Sequence, residues 1–298
     1  SLTGCLCREH QAIVDAAGRV IVYLAGSPDD KSWPDVARAA SREMDEIAAH
    51  KATNFMAQES NAAHTRGRYP VLHAGFTFGG GPQAPHNVGK KDAKRVEARK
   101  RLTRNEAFIR LAGFASSAFR IAAPKLFTHY DTAIGDVKAG DSGLRPAFAN
   151  SVFPTATFNF GPRAETLPHR DYQNVPYGWC AVTALGDYNP KLGGHIYLWE
   201  LGLVVEFPPG ATILLPSAVV THGNTPIQEG ETRKAFTQYC AGALMRWHAY
   251  GMRTERTLLE EVPGMKEALD QSWRERWRTA VCYFSKINEL AADSRACL

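Results

Sequence analysis

Between Ser151 and Cys240 the chain reads SVFPTATFNFGPRAETLPHRDYQNVPYGWCAVTALGDYNPKLGGHIYLWELGLVVEFPPGATILLPSAVVTHGNTPIQEGETRKAFTQYC. Seven short runs stand out in it: ATFNF (156–160), GWCAVTAL (178–185), GHIYLWEL (194–201), LVVEF (203–207), ATILL (211–215), AVVTH (218–222) and RKAFTQYC (233–240). They are rich in β-branched and aromatic residues, and Gly, Pro, Asn and Asp punctuate them. Strands this short and numerous imply two packed sheets, a sandwich or a jelly roll. Outside the stretch the pattern turns helical. Trp33–Ala57 has the three-to-four spacing of an amphipathic helix, Ala107–Leu126 is apolar and broken by Pro124, and Thr257–Leu269 and Ser272–Ala291 mix Leu and Trp with Glu and Arg. The short apolar segment 12–24 ends at Gly26-Ser27-Pro28 and is expected to belong to a start dominated by helices. His73–Asn87, HAGFTFGGGPQAPHN, carries three consecutive glycines and reads as a loop. No G-K-[ST] follows, so it is not a phosphate-binding loop. The expected class is α+β, one domain over 1–298: a mainly helical part at 1–149 with the Gly-rich loop 73–87, a β core at 150–247 and C-terminal helices at 248–298.

With 44% hydrophobic residues over 298 positions, the chain can bury a large core. Its longest apolar runs, such as Ala211–Leu215 and Leu201–Val205, fall far short of the roughly 20 residues of a membrane span. Ser1–His10 has neither the basic start nor the apolar stretch of a signal peptide. Six cysteines, at 5, 7, 180, 240, 282 and 297, are too sparse for a disulfide framework and fit a reducing compartment. Cys5 and Cys7 have no second pair at zinc-ligand spacing and read as ordinary thiols. An intracellular protein with no membrane contact is expected. The net charge of +5 is compatible with a polyanionic partner without requiring one. It concentrates in KKDAKRVEARKRLTR, Lys90–Arg104, which is either a solvated helix face or a phosphate contact through residues such as Lys94, Arg95 and Arg99.

Chemistry concentrates in PHRDYQN, 168–174. On a strand, His169 and Asp171 project from the same face, and a return strand ending AVVTH can bring His222 beside them. Two imidazoles and one carboxylate make the facial triad that leaves positions open on iron(II) for a bidentate 2-oxo acid and O2. Eleven residues after His222 comes Arg233, whose planar fork suits the distal carboxylate of 2-oxoglutarate and whose charge does not titrate away. Arg233, Ala235, Thr237 and Tyr239 would share one strand face. His195 competes as a ligand, but it alternates with Tyr197 and Trp199 and lacks an acidic companion, so it reads as a core or pocket-wall residue. His64, His73, His86 and His129 lie in loop-like or helical surroundings without a companion.

From Phe153 to Trp247, and above all in HRDYQN, FPPGATILLPSA, THGN and ETRKAFTQY, the chain resembles the dioxygenase core of fungal TET/JBP-family proteins. RGRYP and GFTFGGGPQAPHN extend the likeness to roughly residues 66–255. That resemblance implies a double-stranded β-helix (jelly-roll) core flanked by helices. It also implies an Fe(II)/2-oxoglutarate enzyme that oxidises the methyl group of a methylated base in double-stranded DNA, 5-methylcytosine or N6-methyladenine, with O2 as oxidant. Residue by residue, His169, Asp171 and His222 would bind iron and Arg233 the cosubstrate. Asn174 stands where animal TET enzymes carry an Asn that hydrogen-bonds the flipped base. Tyr239 has the six-residue offset of their stacking Tyr, whereas a base-contacting His is replaced by Ala241. Their large Cys-rich zinc module has no counterpart, which leaves DNA to be gripped by elements such as 90–104 and points to the nucleus. The same chemistry on RNA or a protein side chain, and an inactive nucleic-acid-binding module, are the alternatives; no protein partner is implied.

Overall fold

The computed structural model describes residues 3–6, 10–49, 67, 69–89 and 92–297. Strands β1 (Thr3–Leu6), β2 (Gln11–Val14) and β3 (Val20–Gly26) precede helix α1 (Trp33–Ala49), and β4 (Val71–Thr77) and β5 (His86–Asn87) precede helices α2 (Ala93–Arg104), α3 (Glu106–Ala122) and α4 (Pro124–Gly140). The β-rich stretch supplies β6 (Thr155–Asn159), β7 (Cys180–Asp187), β8 (Ile196–Leu198), β9 (Leu203–Glu206), β10 (Thr212–Leu215), β11 (His222–Asn224) and β12 (Thr232–Tyr239). Helices α5 (Gly242–Ala249), α6 (Glu255–Glu261), α7 (Met265–Cys282) and α8 (Leu290–Ala296) follow.

Eight strands form the larger sheet in the order β2-β3-β10-β7-β12-β6-β4-β5, antiparallel throughout, and a smaller sheet runs β1-β9-β8-β11. Within the stretch from β6 to β12 the chain passes repeatedly between the two sheets. Val22, Leu24, Ala184 and Ile213 of the larger sheet pack against Ile196, Leu198 and Val205 of the smaller one. On its other face the larger sheet meets the helices, where Phe108 of α3 lies edge-on to Phe158 and Phe236 at 4.9 and 5.2 Å between ring centres. Alternation along a strand makes the consequence direct. With Phe158 and Phe236 locked against α3, Thr157 and Asn159 of β6 and Thr237 and Tyr239 of β12 are turned the opposite way.

Two local features fix β12. Buried Lys234 reaches towards α1, where its Nζ donates to Ser41 Oγ at 2.8 Å and meets Asp45 Oδ2 at 2.7 Å. Next to it, Arg233 pairs with Gly186 of β7. Gly186 has φ +117°, and a Cβ there would lie 2.2 Å from the Thr232 carbonyl oxygen, so only glycine lets the two strands close over the arginine.

Several expectations need correction. The start is not dominated by helices: 11–14 and 20–26 are strands, because VIVYLAG buries Val20, Val22, Leu24 and Ala25 in the larger sheet beside β10. The segment from His73 is a loop only in part. Leu72, Ala74 and Phe76 are buried in alternation, which makes VLHAGFT a strand, and the loop narrows to the residues around Gly79–Gly81, whose φ angles are +119°, +72° and +119°. AVVTH turns before entering β11, and GHIYLWEL leaves the sheet after Leu198 in a single 3-10 turn (199–201) closed by Gly202 at φ +62°. Gly264, at φ +79°, divides the helix expected over 257–269. Residues 50–57 of the first expected helix, Lys90, Lys91, His64, and Cys7 with the Cys5 side chain lie outside the described residues. Among the described residues no helix is long and apolar enough to cross a membrane.

Candidate metal centre and substrate cleft

His169 does not lie on a strand. It forms an isolated bridge with His222, each backbone N–H donating to the other's carbonyl oxygen at 3.0 Å, so a segment 53 positions upstream of His222 is pinned alongside β11. Asp171 sits just beyond, its N–H donating to the Ser217 carbonyl at 2.8 Å, at the start of a turn that the Asn174 N–H closes on the Asp171 carbonyl. The same-face expectation for a strand is therefore replaced by a bridge and a turn, but the side chains still converge. His169 Nε2 lies 3.6 Å from Asp171 Oδ1, His222 Nε2 lies 4.0 Å from Oδ2, and the two ring centres are 4.3 Å apart. Each of the three side chains offers a ligand atom, and all these atoms fall within 4.8 Å of one another.

Both imidazoles have a defined tautomer. Nδ1 of His169 is 2.8 Å from the Leu167 carbonyl and Nδ1 of His222 is 2.9 Å from the Val220 carbonyl. Because a carbonyl only accepts, each Nδ1 carries a proton, which makes Nε2 the nitrogen whose lone pair the neutral ring offers to a metal. Two imidazoles and a carboxylate, none of the side chains more than 11% exposed, fit a divalent cation of intermediate softness. A clamp of side chains ties this segment to the smaller sheet. Arg170 Nε donates to Thr221 Oγ1 at 2.9 Å and its Nη2 to Glu200, which also accepts from the Thr221 N–H and hydroxyl at 2.6 Å each. Partial burial pushes the Glu200 carboxyl up, but the Thr221 and Arg170 hydrogen bonds outweigh it and bring the pKa down from 4.5 to about 2. A lowered carboxyl pKa stabilises the fold above its usual value, so this clamp is intact at neutral pH and loosens only as pH falls from near 4.5 towards 2.

Arg233 is almost fully buried, at 1% exposure. Its Nη1 donates to the Ala164 carbonyl at 2.6 Å, while Nε and Nη2 have no hydrogen-bond partner among the described residues. A buried guanidinium left partly unpaired costs several kcal/mol, roughly, unless an anion completes it. Further along the same strand face, Thr237 and Tyr239 line a cleft of about 520 Å³ together with Thr157, Asn159, His169, Asp171 and Asn174.

No family model matches this chain, and no curated protein matches it. Among solved structures, NgTET1 in complex with 5mC DNA is similar over 80% of this chain and 82% of its own, at 11% identity and a TM-score of 0.44. A 2OG-Fe(II) oxygenase family oxidoreductase from Burkholderia pseudomallei is similar over 72% of this chain and 93% of its own, at 14% identity and a TM-score of 0.32. Likenesses this distant leave the chemistry to be read from the site's own residues.

Of the residues singled out in the sequence, the structure brings His169, Asp171, His222, Asn174 and Tyr239 to one place. Asn174 is more than a wall of the cleft. Its Nδ2 donates to Ser217 Oγ at 3.0 Å and approaches Asp171 Oδ2 at 3.4 Å, so it also orients the carboxylate. His195 stands apart from the ligand cluster, half-buried, with its N–H held by Thr225 Oγ1 at 3.0 Å; Trp199 is exposed in the 3-10 turn rather than on its strand face. In α2, Lys94 is exposed, but Arg95 and Arg99 are partly buried, Arg95 3.9 Å from Asp92 and Arg99 against the Gly89 backbone. The residue missed is His73. On β4 it lines the cleft, and the alternation of Leu72, Ala74 and Phe76 was the signal that could have found it.

Proposed function

We propose that this protein is an Fe(II)- and 2-oxoglutarate-dependent dioxygenase that oxidises the methyl group of a methylated base in double-stranded DNA, 5-methylcytosine first and N6-methyladenine second. One observation carries the reading: His169 and Asp171 of a two-histidine, one-carboxylate cluster line a cleft with Thr237 and Tyr239, on the strand face that also carries Arg233, whose buried Nε and Nη2 have no hydrogen-bond partner among the described residues and call for a carboxylate. The strand order supports it. The larger sheet runs β10-β7-β12-β6 and the smaller β9-β8-β11 with the His169 segment beside β11, an interleaving that supports the double-stranded β-helix reading.

When bound, iron(II) with 2-oxoglutarate and O2 inserts one oxygen atom into a C–H bond while the oxo acid is decarboxylated to succinate. His169, Asp171 and His222 would hold the metal. Arg233 takes the distal carboxylate of the cosubstrate, and Asn174 with Ser217 keeps the Asp171 carboxylate in place. A methyl group inside a duplex cannot enter a cleft between two sheets, so the base is flipped out, at a cost of a few kcal/mol, roughly, in stacking and pairing. Tyr239 offers a face for stacking, worth about 1–3 kcal/mol whichever base is present. Acting on DNA would place the protein in the nucleus.

Incubation with iron(II), ascorbate and 2-oxoglutarate on matched duplexes bearing each mark is expected to yield oxidised nucleosides by mass spectrometry. No oxidised product from either duplex, alongside turnover on methylated RNA or a peptide, would leave the oxygenase chemistry and remove the DNA substrate.

The backbone contact is assigned to the exposed charges of α2. Arg101 is paired with Glu43 and Glu46, at 2.8 and 3.1 Å, so Lys94, Lys100 and Arg104 are the exposed basic side chains of α2 that would reach phosphates. Reversing these three to Glu should weaken binding to any duplex and flatten its dependence on salt. An unchanged slope of log affinity against log salt would make α2 a solvated face.

A further inference from the structure

The bridge between His169 and His222 fixes those two residues against each other but stops short of Asp171. On the side of Thr166 the contact with β11 continues, the Asn224 N–H donating to the Thr166 carbonyl at 2.9 Å. On the other side the segments part, because the Asp171 N–H turns to the Ser217 carbonyl. Residues 170 and 221 face each other at the point of separation, one step past the antiparallel bridge. There side chains take over. Arg170 Nε donates to Thr221 Oγ1 at 2.9 Å, the Thr221 hydroxyl donates to Glu200 Oε1 at 2.6 Å, and Arg170 Nη2 reaches the same oxygen.

Glu200 can do this because its strand ends early. Leu198 pairs with His222, and the Trp199 N–H still donates to the Thr221 carbonyl at 2.9 Å. In a continuing strand the Thr221 N–H would return that bond to the Trp199 carbonyl. The 3-10 turn has already given that carbonyl to the Gly202 N–H, at 3.0 Å, and the Thr221 N–H donates to Glu200 Oε2 at 2.6 Å. One carboxylate thus joins the residue between two candidate ligands, His169 and Asp171, to the residue before the third, His222.

We infer that Arg170 and Glu200 are positioning residues for the metal centre: they set the angle at which the chain leaves β11, and so hold the Asp171 carboxylate at the spacing from His222 that a metal needs. This rests on the assignment of His169, Asp171 and His222 as ligands. Neither Arg170 nor Glu200 belongs to the ligand cluster itself. Their side chains are 39% and 34% exposed, and an ion pair so open to solvent adds little to the stability of a fold. Its effect is local. Ligands held in place before the metal arrives lose less freedom on binding it, so the clamp acts on metal affinity.

The test is titration of the metal-free protein with cobalt(II), followed through the visible absorption of the bound ion, beside thermal melts recorded without metal. Glu200→Ala and Arg170→Met should each weaken cobalt(II) binding by about 10- to 100-fold, with metal-free melting temperatures close to that of the wild type. Arg170→Met decides between positioning and simple charge. It removes a cation beside the site, which by Coulomb attraction alone would tighten metal binding, whereas loss of the clamp loosens it. Binding in Arg170→Met as tight as in the wild type, or tighter, overturns the inference. So does a loss of affinity matched by an equal destabilisation of the metal-free protein, which would make the pair an ordinary support of the fold. If the wild type shows no saturable cobalt(II) binding, or His222→Ala binds as tightly as the wild type, the ligand assignment fails and this inference goes with it.

Discussion

His169→Ala and Asp171→Ala are each expected to reduce 2-oxoglutarate decarboxylation by about a thousandfold or more, equivalent to a loss of about 4 kcal/mol in transition-state stabilisation. Neither change should unfold the protein. The bridge between residues 169 and 222 is made by backbone atoms and survives truncation of the side chain. Asp171 is a buried carboxylate, so removing it relieves a desolvation cost even as Asn174 loses a neighbour. Thermal melts of the metal-free variants should therefore lie close to that of the metal-free wild type. Addition of metal should raise the melting temperature of the wild type only, since a ligand stabilises the state that binds it. Decarboxylation at the wild-type rate in either variant would refute the assignment of the centre.

Arg233→Lys should raise the concentration of 2-oxoglutarate needed for half-maximal turnover by roughly 10- to 150-fold, the range set by a charged hydrogen bond worth about 1.5–3 kcal/mol. An ammonium keeps the charge but cannot present two parallel N–H groups to a carboxylate. A second substitution separates this role from a structural one. Arg233→Met removes a buried charge that has two nitrogens, Nε and Nη2, without a partner among the described residues, so the variant should melt no lower than the wild type in the absence of cosubstrate. It should also lose the rise in melting temperature that 2-oxoglutarate gives. An unchanged 2-oxoglutarate requirement in Arg233→Lys would show that the anchor lies elsewhere.

The cluster of His169, Asp171 and His222 was legible in the sequence because metal chemistry restricts residue type, and H-x-D with a distant His survives changes in how the backbone delivers it. The delivery was not legible. His169 is held by one bridge to His222, and Asp171 by a turn against Ser217, contacts between segments far apart in sequence that no local pattern announces. The strands of the β core were readable from their composition, whereas β3 and β4 were obscured by their neighbours. VIVYLAG is an apolar run whose length fits a buried strand or a piece of helix, and only its place beside β10 decides the matter. The glycines after Thr77 drew VLHAGFT into a loop and hid His73 with it. In α2, the charge count was plain, but which charges remain exposed depends on Asp92, Glu43 and Glu46 and on the approach to Gly89.

The carbonyls that select the histidine tautomers belong to the main chain of residues 167 and 220. Neither depends on the identity of the side chain at that position. Leu167 is 59% exposed beside His169 and can be exchanged for a polar, charged or aromatic residue without disturbing the proton on His169 Nδ1. Val220 is buried between the sheets and is constrained by packing alone. The rim of the site is thus free to diverge while the two imidazoles keep their orientation, so a lineage of such proteins could change what it docks against without rebuilding the cluster of His169, Asp171 and His222.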